Sequence, residues 1–155
     1  MGKKMKSEQS SSYLSLNSYT KLMRAAESVT NRVGRTMSAA GLTISQFGVL
    51  EALHHKGPLC QRDIAAKILK STGNITLVID NLEKQELVKR ERISDDRRFL
   101  TVRLTGKGEK LISTVFANVE AAIVAEMSAL TGDEQETLGR LCKKLGLRNV
   151  GAGSA

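Results

Sequence analysis

QRDIAAKILKSTGNITLVIDNLEKQELVKRERISDDRRFLTVRLTGKG, residues Gln61–Gly108, is the stretch of sequence that decides the fold. The apolar side chains of its first part form one stripe on a short helix: Ile64, Ala65, Ile68 and Leu69. Those of its second part share the face of another helix: Ile75, Val78, Ile79 and Leu82. Ser71 suits the N-cap of that second helix. Two helices joined by a tight turn predict a helix-turn-helix, whose second helix enters a DNA major groove with its N-terminal end.

Two β-rich runs follow the helix pair, Val88–Ile93 and Phe99–Leu104. In the second run the side chains alternate with a period of two, as expected for a strand. The turn between the runs is polar and carries Arg97 and Arg98 at its tip. A hairpin appended to a helix-turn-helix predicts a winged helix, and basic residues at its tip can reach a narrow minor groove or the flanking phosphates.

Two short motifs resemble a known family. D-x-R at Asp96–Arg98, separated by five residues from L-T-x-x-G at Leu104–Gly108, is similar to the signature of the MarR family (multiple antibiotic resistance regulators). The segment Val78–Arg90 is similar to the end of that family's recognition helix, and the resemblance spans roughly residues 18–146. One departure is Gln85-Glu86, where relatives usually have a glycine. The resemblance implies a mostly α fold with a small β-hairpin wing, in which a winged helix-turn-helix joins a helical dimerisation layer.

Length and composition limit the class of protein. At 155 residues the chain suits a single domain with its own core. No apolar run approaches the roughly 18 residues of a membrane span. The start, MGKKMKSEQSSS, has no apolar signal-peptide core, which predicts a cytoplasmic protein. The net charge is +8, and residues 56–110 hold 13 basic and 8 acidic side chains, a balance that favours contact with phosphates.

The domain organisation follows from the same patterns. Residues 1–12 are polar and predict a disordered arm, 13–146 predict one MarR-type unit, and 147–155 predict a frayed tail. Within the unit, the winged-helix part is predicted at about 43–105. The dimerisation helices are predicted at about 13–40 and 109–146.

The apolar faces of these outer helices are broader than a winged helix of 48 residues can cover. They predict a homodimer, with packing inside a monomer as the alternative. A two-fold dimer places its recognition helices about one helical turn apart, which predicts a near-palindromic operator on double-stranded DNA.

Several side chains are candidates for contact with DNA. Four short polar residues begin the recognition helix and are predicted to meet phosphates or base edges, with simple helix capping as the alternative for the first two: Ser71, Thr72, Asn74 and Thr76. The resemblance makes Arg98 the wing-tip arginine and Asp96 the acid that orients it. Arg97 and Arg98 are both predicted to contact DNA at the wing tip, with a solvated run of charges on a hairpin turn as the alternative. Lys89 and Arg90 are predicted to contribute contacts with the DNA backbone or a positive field. Asp80 would repel phosphate, so it is predicted to pair with a base or an arginine.

Cys60 has two interpretations. It lies where a serine or threonine usually caps the first helix of the pair, and a thiol at a helix N-terminus near Arg62 is more nucleophilic, which would suit a redox or electrophile sensor. The alternative, a small capping side chain without a sensing role, is favoured. Cys142 lies on an apolar helix face and is predicted to be part of the core.

The sequence contains no nucleophile elbow, Walker loop, zinc-protease motif or dinucleotide fingerprint, so neither an enzyme nor a cofactor is predicted. The adjacent residues His54 and His55 would point about 100° apart on a helix, and no cluster of carboxylates accompanies them, which argues against a metal site. The resemblance implies a transcriptional regulator, usually a repressor. Release by a small phenolic or other aromatic ligand is implied where the first, second and fifth helices meet. A winged-helix interaction module that does not bind DNA is a further alternative.

Overall fold

Helices dominate the structure, a computed structural model that describes residues 2–68, 72–92 and 100–147 and the side chains within 11–68, 74–91 and 100–147. The elements are, in chain order, α1 (Gly2–Ala39), α2 (Ile44–Lys56), β1 (Leu59–Cys60), α3 (Gln61–Lys67), α4 (Thr72–Lys84), β2 (Val88–Arg92), β3 (Leu100–Leu104), α5 (Gly106–Met127) and α6 (Gly132–Gly146). This architecture confirms the predicted mostly α fold with a small wing.

The strands form an antiparallel sheet in the order β1-β3-β2. Strands β2 and β3 make the predicted hairpin, with Val88 opposite Leu104 and Arg90 opposite Val102. Strand β1 was not predicted, because two residues are too few to show an alternating pattern. It joins the sheet by pairing Leu59 with Val102, and it thereby attaches the start of α3 to the wing.

The core lies where α2, α3, α4, the sheet and α5 meet. Each element contributes side chains that are fully buried or nearly so: Leu50, Ile64, Ile79, Val102 and Ile112. The apolar stripes predicted for the two helices of the helix-turn-helix therefore face this core wherever their residues are described. Because these stripes are buried, the opposite face of α4 must point outwards.

Helix α1 is longer than predicted. It begins at Gly2, so residues 2–12, predicted to be a disordered arm, are helical here. The physical reason is local: the segment includes three lysines among other good helix formers, and neither glycine nor proline interrupts residues 3–33. Further along, α1 packs against α5, where the Arg32 guanidinium donates to Glu126 Oε2 at 2.7 Å. The pKa of Glu126 is lowered, chiefly by this hydrogen bond.

Capping boxes begin two of the helices, α2 and α6. Thr43 Oγ1 accepts from the Gln46 amide at 3.2 Å, while the Thr43 amide donates to Gln46 Oε1 at 2.9 Å. Thr131 and Glu134 repeat this arrangement at the start of α6. These reciprocal bonds satisfy orphan amides of the first turn and fix where each helix begins.

Helix α6 contributes no buried side chain in the single chain. Its apolar residues are partly exposed, namely Leu138, Leu141 and Leu145, and Cys142, predicted to lie in the core, is exposed as well. The reason is that this face of α6 does not pack against the core of the single chain. At its start, α6 is attached to the end of α5 by Gln135, whose Nε2 donates to the carbonyls of Met127 and Leu130.

Among the described residues, no single helix is long and apolar enough to cross a membrane. Helices α5 and α6 would reach that length and composition only as a pair, and they are bent by 103° relative to each other.

The departure from the family pattern at Gln85-Glu86 lies in the turn that ends α4. Glu86 has a φ of 60°, the left-handed conformation for which glycine is preferred. The Leu87 amide donates to the Leu82 carbonyl at 2.9 Å and the Glu86 amide to the Glu83 carbonyl at 2.9 Å, which together form a Schellman-type helix end.

Glu86→Gly is therefore expected to stabilise the protein by about 1 kcal/mol, because glycine adopts positive φ without the steric penalty of a Cβ. Thermal unfolding of the variant against the wild type measures this. Gln85→Gly is the matched control: its φ is not positive, so it should lower the melting temperature. Equal destabilisation by both variants would contradict the assignment.

Candidate nucleic-acid interface

The outward face of α4 is the main candidate surface. Ile75, Ile79 and Leu82 are fully buried on the inner face, whereas Asn74 and Thr76 are exposed in the first half of the helix. Leu77 is 62% exposed beside them. This face combines amide and hydroxyl groups with an apolar side chain, the chemistry that meets base edges and thymine methyl groups in a major groove.

A side-chain bond joins the two helices of the helix-turn-helix at this surface. Gln61 Nε2, at the start of α3, donates to Thr76 Oγ1 at 2.5 Å. The bond fixes the Thr76 hydroxyl relative to α3. It also makes Gln61 a residue of the surface, which the sequence analysis missed because the two positions lie 15 residues apart in different helices.

Some predicted contact residues lie outside the described residues, namely Ser71, Asp96, Arg97 and Arg98. Thr72 opens α4, but its side chain is not described. The roles assigned to these five residues stay predictions.

Arg90 lies on β2 and contacts α4. Its Nη2 donates to Asp80 Oδ1 at 2.6 Å and its Nη1 to Glu83 Oε2 at 2.5 Å. The backbone amide of Arg90 donates to the other oxygen of the same Glu83 carboxylate at 3.1 Å. Burial acts to lower the pKa of Arg90, but the hydrogen bonds and charges of Asp80 and Glu83 outweigh it, so the pKa is raised. Asp80 thus has the arginine partner that the sequence predicted.

A second charged cluster occupies the face of the wing that carries Lys89. The Lys89 ammonium pairs with Glu91, and Arg103 Nε lies 3.1 Å from Glu91 Oε2. The pKa of Glu91 is lowered, first by its hydrogen bond with Lys89. Two cations share one carboxylate, so this face keeps a net positive charge, consistent with the predicted backbone contact through Lys89.

Cys60 occupies the predicted N-cap position of α3 with extended backbone, φ −72° and ψ 157°. Its half-buried side chain makes no capping hydrogen bond. The residue also belongs to β1, where it pairs with Thr101. The position is confirmed, whereas a redox role for Cys60 stays a prediction.

The contacts of Thr105 explain the L-T-x-x-G segment in physical terms. Its amide donates to the Leu87 carbonyl at 3.0 Å and its hydroxyl to the Glu86 carbonyl at 2.6 Å, while its Oγ1 accepts from the Gly108 amide at 3.0 Å. The first turn of α5 is therefore tied directly to the turn between α4 and β2.

An open cleft of about 410 Å³ lies between the end of α2, β3 and the start of α5. At its edge His54 Nδ1 and Glu109 Oε1 are 2.7 Å apart. The cleft is open to solvent, and its position differs from that of the predicted ligand site between the first, second and fifth helices. Among the described residues, no group of three or more His, Cys, Asp or Glu is placed to hold a metal ion.

An exposed recognition helix, a β-hairpin wing and an outer helical layer define a winged helix-turn-helix protein of the class that regulates transcription. The chain belongs to the MarR family, whose model matches residues 42–99. The HTH-type transcriptional regulator MhqR of Bacillus subtilis (strain 168) is 35% identical to it over 133 residues, which cover 86% of this chain and 92% of the relative.

Solved structures support the same conclusion. AbsC, a MarR family transcriptional regulator from Streptomyces coelicolor, is 20% identical, superposes with a TM-score of 0.79 and shows the same fold over 84% of this chain and 90% of its own. NadR in complex with 4-hydroxyphenylacetate is 26% identical, with a TM-score of 0.68 over 83% of this chain and 91% of its own.

Proposed function

We propose that this MarR-family regulator is a cytoplasmic homodimeric repressor that binds a near-palindromic operator and is released by a small phenolic or other aromatic ligand. The observation that carries the proposal is the orientation of α4. Ile75 and Ile79 on its apolar face are fully buried, so Asn74 and Thr76 lie on the surface, on the side of the helix that would face a major groove.

The dimer is supported by the apolar surface of the outer helices. Partly exposed large side chains extend along α1, the end of α5 and α6: Tyr13, Leu14, Leu16, Tyr19, Met23, Ile123, Val124, Leu138, Leu141 and Leu145. A surface of this kind marks a protein interface, and a second copy of the chain offers a matching one. Two-fold symmetry then sets the spacing of the recognition helices to the repeat of the double helix.

The ligand proposal rests on the relative with a bound phenolic acid. NadR was solved with 4-hydroxyphenylacetate. In this chain, α1 packs against both α2 and α5, so a ligand at that junction would lie between the outer layer and the reading helices. The bonds from Thr105 to Glu86 and Leu87 supply a mechanical route from α5 to α4. A change in the spacing of the two recognition helices would weaken both half-sites together.

The DNA upstream of the gene, searched for an inverted repeat, supplies the probe for a test by fluorescence anisotropy. Asn74→Ala is expected to weaken binding about tenfold or more, and mainly at one base position, because an amide pairs with a specific base edge. Arg98→Ala is expected to weaken binding and to lower the salt dependence, since a phosphate or minor-groove cation is lost.

Lys144→Ala is the matched control, because it removes a positive charge from α6 instead of the reading unit. Its affinity should equal that of the wild type. Wild-type protein that binds no DNA in a salt-dependent manner would overturn the proposal and favour a winged-helix interaction module instead.

A further inference from the structure

The contact between Arg90 and α4 joins the two parts of the reading unit that must engage DNA together. A winged helix places its recognition helix in one groove and its hairpin beside the next, so the angle between helix and hairpin decides whether both fit. In the sequence, only the short turn at residues 85–87 connects α4 to β2. Across this turn, Arg90 donates to two carboxylates one helical turn apart, those of Asp80 and Glu83.

The geometry is that of a two-point attachment. The planar guanidinium uses separate nitrogens for Asp80 and Glu83, and the Arg90 amide binds the second oxygen of Glu83. A guanidinium held at two points resists rotation, whereas an ammonium group held at one point does not. Its side chain is only 20% exposed, so most of its donors face α4 and not solvent.

The electrostatics of the cluster point in the same direction. Asp80 and Glu83 carry two negative charges on the helix that would approach phosphates, and unpaired they would oppose DNA binding. Arg90 is placed against both of them. An arginine that served phosphate contact alone would leave these charges unbalanced.

We propose that Arg90, Asp80 and Glu83 form an ion-paired clamp that positions the wing relative to the recognition helix. Arg90 is thus a positioning residue rather than the backbone contact that the sequence predicted. The clamp rests on the proposed DNA-binding function and adds to the recognition of the operator, because a fixed angle between helix and wing fits some groove geometries better than others.

The acidic partners provide the decisive test, because clamp and simple electrostatics predict opposite signs. Removing a negative charge from the reading unit should raise DNA affinity if charge alone mattered. The clamp predicts that Asp80→Ala and Glu83→Ala each lower operator affinity, by about tenfold for a partly exposed charged hydrogen bond. Affinity for a scrambled duplex should change little or rise. Increased operator affinity in both variants would overturn the clamp.

Variants of Arg90 separate the clamp from a phosphate contact. Arg90→Met should reduce operator affinity, and adding Glu83→Ala should reduce it no further, because one unit has already been broken. Arg90→Lys keeps the charge but cannot hold both carboxylates, so it should also bind the operator more weakly. Additive losses, or an Arg90→Lys variant that binds like the wild type, would show that charge and not position matters.

Arg103→Met is the matched control for charge. Arg103 lies on the same hairpin and pairs with Glu91, which is on the wing itself. Its loss should weaken operator and scrambled DNA by the same factor. If Arg103→Met reduced the preference for operator over scrambled DNA as much as Arg90→Met does, the contact of Arg90 with α4 would have no special role.

Hydrogen exchange in the absence of DNA keeps the clamp separate from the proposed function. The Arg90 amide donates to Glu83, so Glu83→Ala should speed exchange at that amide and along β2, while Arg103→Met should not. If the wild type bound no operator, the function proposed above would be wrong, but hydrogen exchange would still test whether the clamp exists. Unchanged exchange in Glu83→Ala would overturn it.

Discussion

Gly108→Ala is expected to destabilise the protein by about 3 kcal/mol or more, a large effect for one added methyl group. A Cβ at this position would overlap the Leu87 carbonyl oxygen and lie 2.9 Å from the carbonyl carbon. It would also come within 3.3 Å of Leu104 Cδ2. The obstacle is backbone, which no rotamer change can move aside.

The neighbouring bonds explain why the overlap is not easily relieved. Thr105 holds the carbonyls of Glu86 and Leu87 against the start of α5, so a shift of either segment breaks a hydrogen bond. Urea unfolding followed by circular dichroism measures the loss in the free energy of unfolding. Gly106→Ala is the control, because no atom lies within 4 Å of its added Cβ and little change in stability is expected. Equal stability of the two variants would contradict this account.

Leu141→Arg is expected to convert the proposed homodimer into a monomer and to reduce operator affinity at least about 100-fold, because each half-site would then bind alone. Leu141 is 50% exposed in the single chain and lines an apolar groove with Leu130 and Leu138. Asp133 and Glu134 also line this groove. In a dimer the groove would be covered, and a guanidinium at position 141 would lose water and displace the apolar contacts of the leucine. Analytical ultracentrifugation and anisotropy with the operator measure the two effects.

Gly139→Arg provides the matched control on the same helix. It adds the same side chain about 200° further round α6, where no atom lies within 4 Å of the added Cβ. This variant should remain dimeric and bind DNA normally. A Leu141→Arg protein that still sediments as a dimer would show that the α6 face is not the interface.

The predictions for Gly108 and Leu141 test two different properties, the folding of one chain and the association of two copies. Gly108 acts within one chain, by allowing α5 to approach the end of α4, whereas Leu141 acts between copies. A variant that keeps its stability but loses DNA binding through dissociation would separate assembly from folding. The clamp at Arg90 concerns a third property, because its loss should leave both the core and the dimer interface intact and change only the geometry of the reading unit.

The sequence by itself determined those features that depend on near neighbours. Apolar periodicity placed the helices of the reading unit, since the residues that face the core recur every three or four positions. Thr43 with Gln46, and Thr131 with Glu134, fixed two helix starts because a capping box is complete within four residues. The alternating run at 100–104 likewise identified a strand of the wing.

Only the tertiary structure decided which distant groups meet. It placed Arg90 against Asp80 and Glu83 instead of leaving it free, added β1 to the sheet, and set Gly108 against the Leu87 carbonyl. Periodicity shows that a side chain faces inwards or outwards, but it does not name the partner there. Partners are set by how whole helices and strands pack, and that packing joins residues far apart in the chain, as between Arg32 and Glu126.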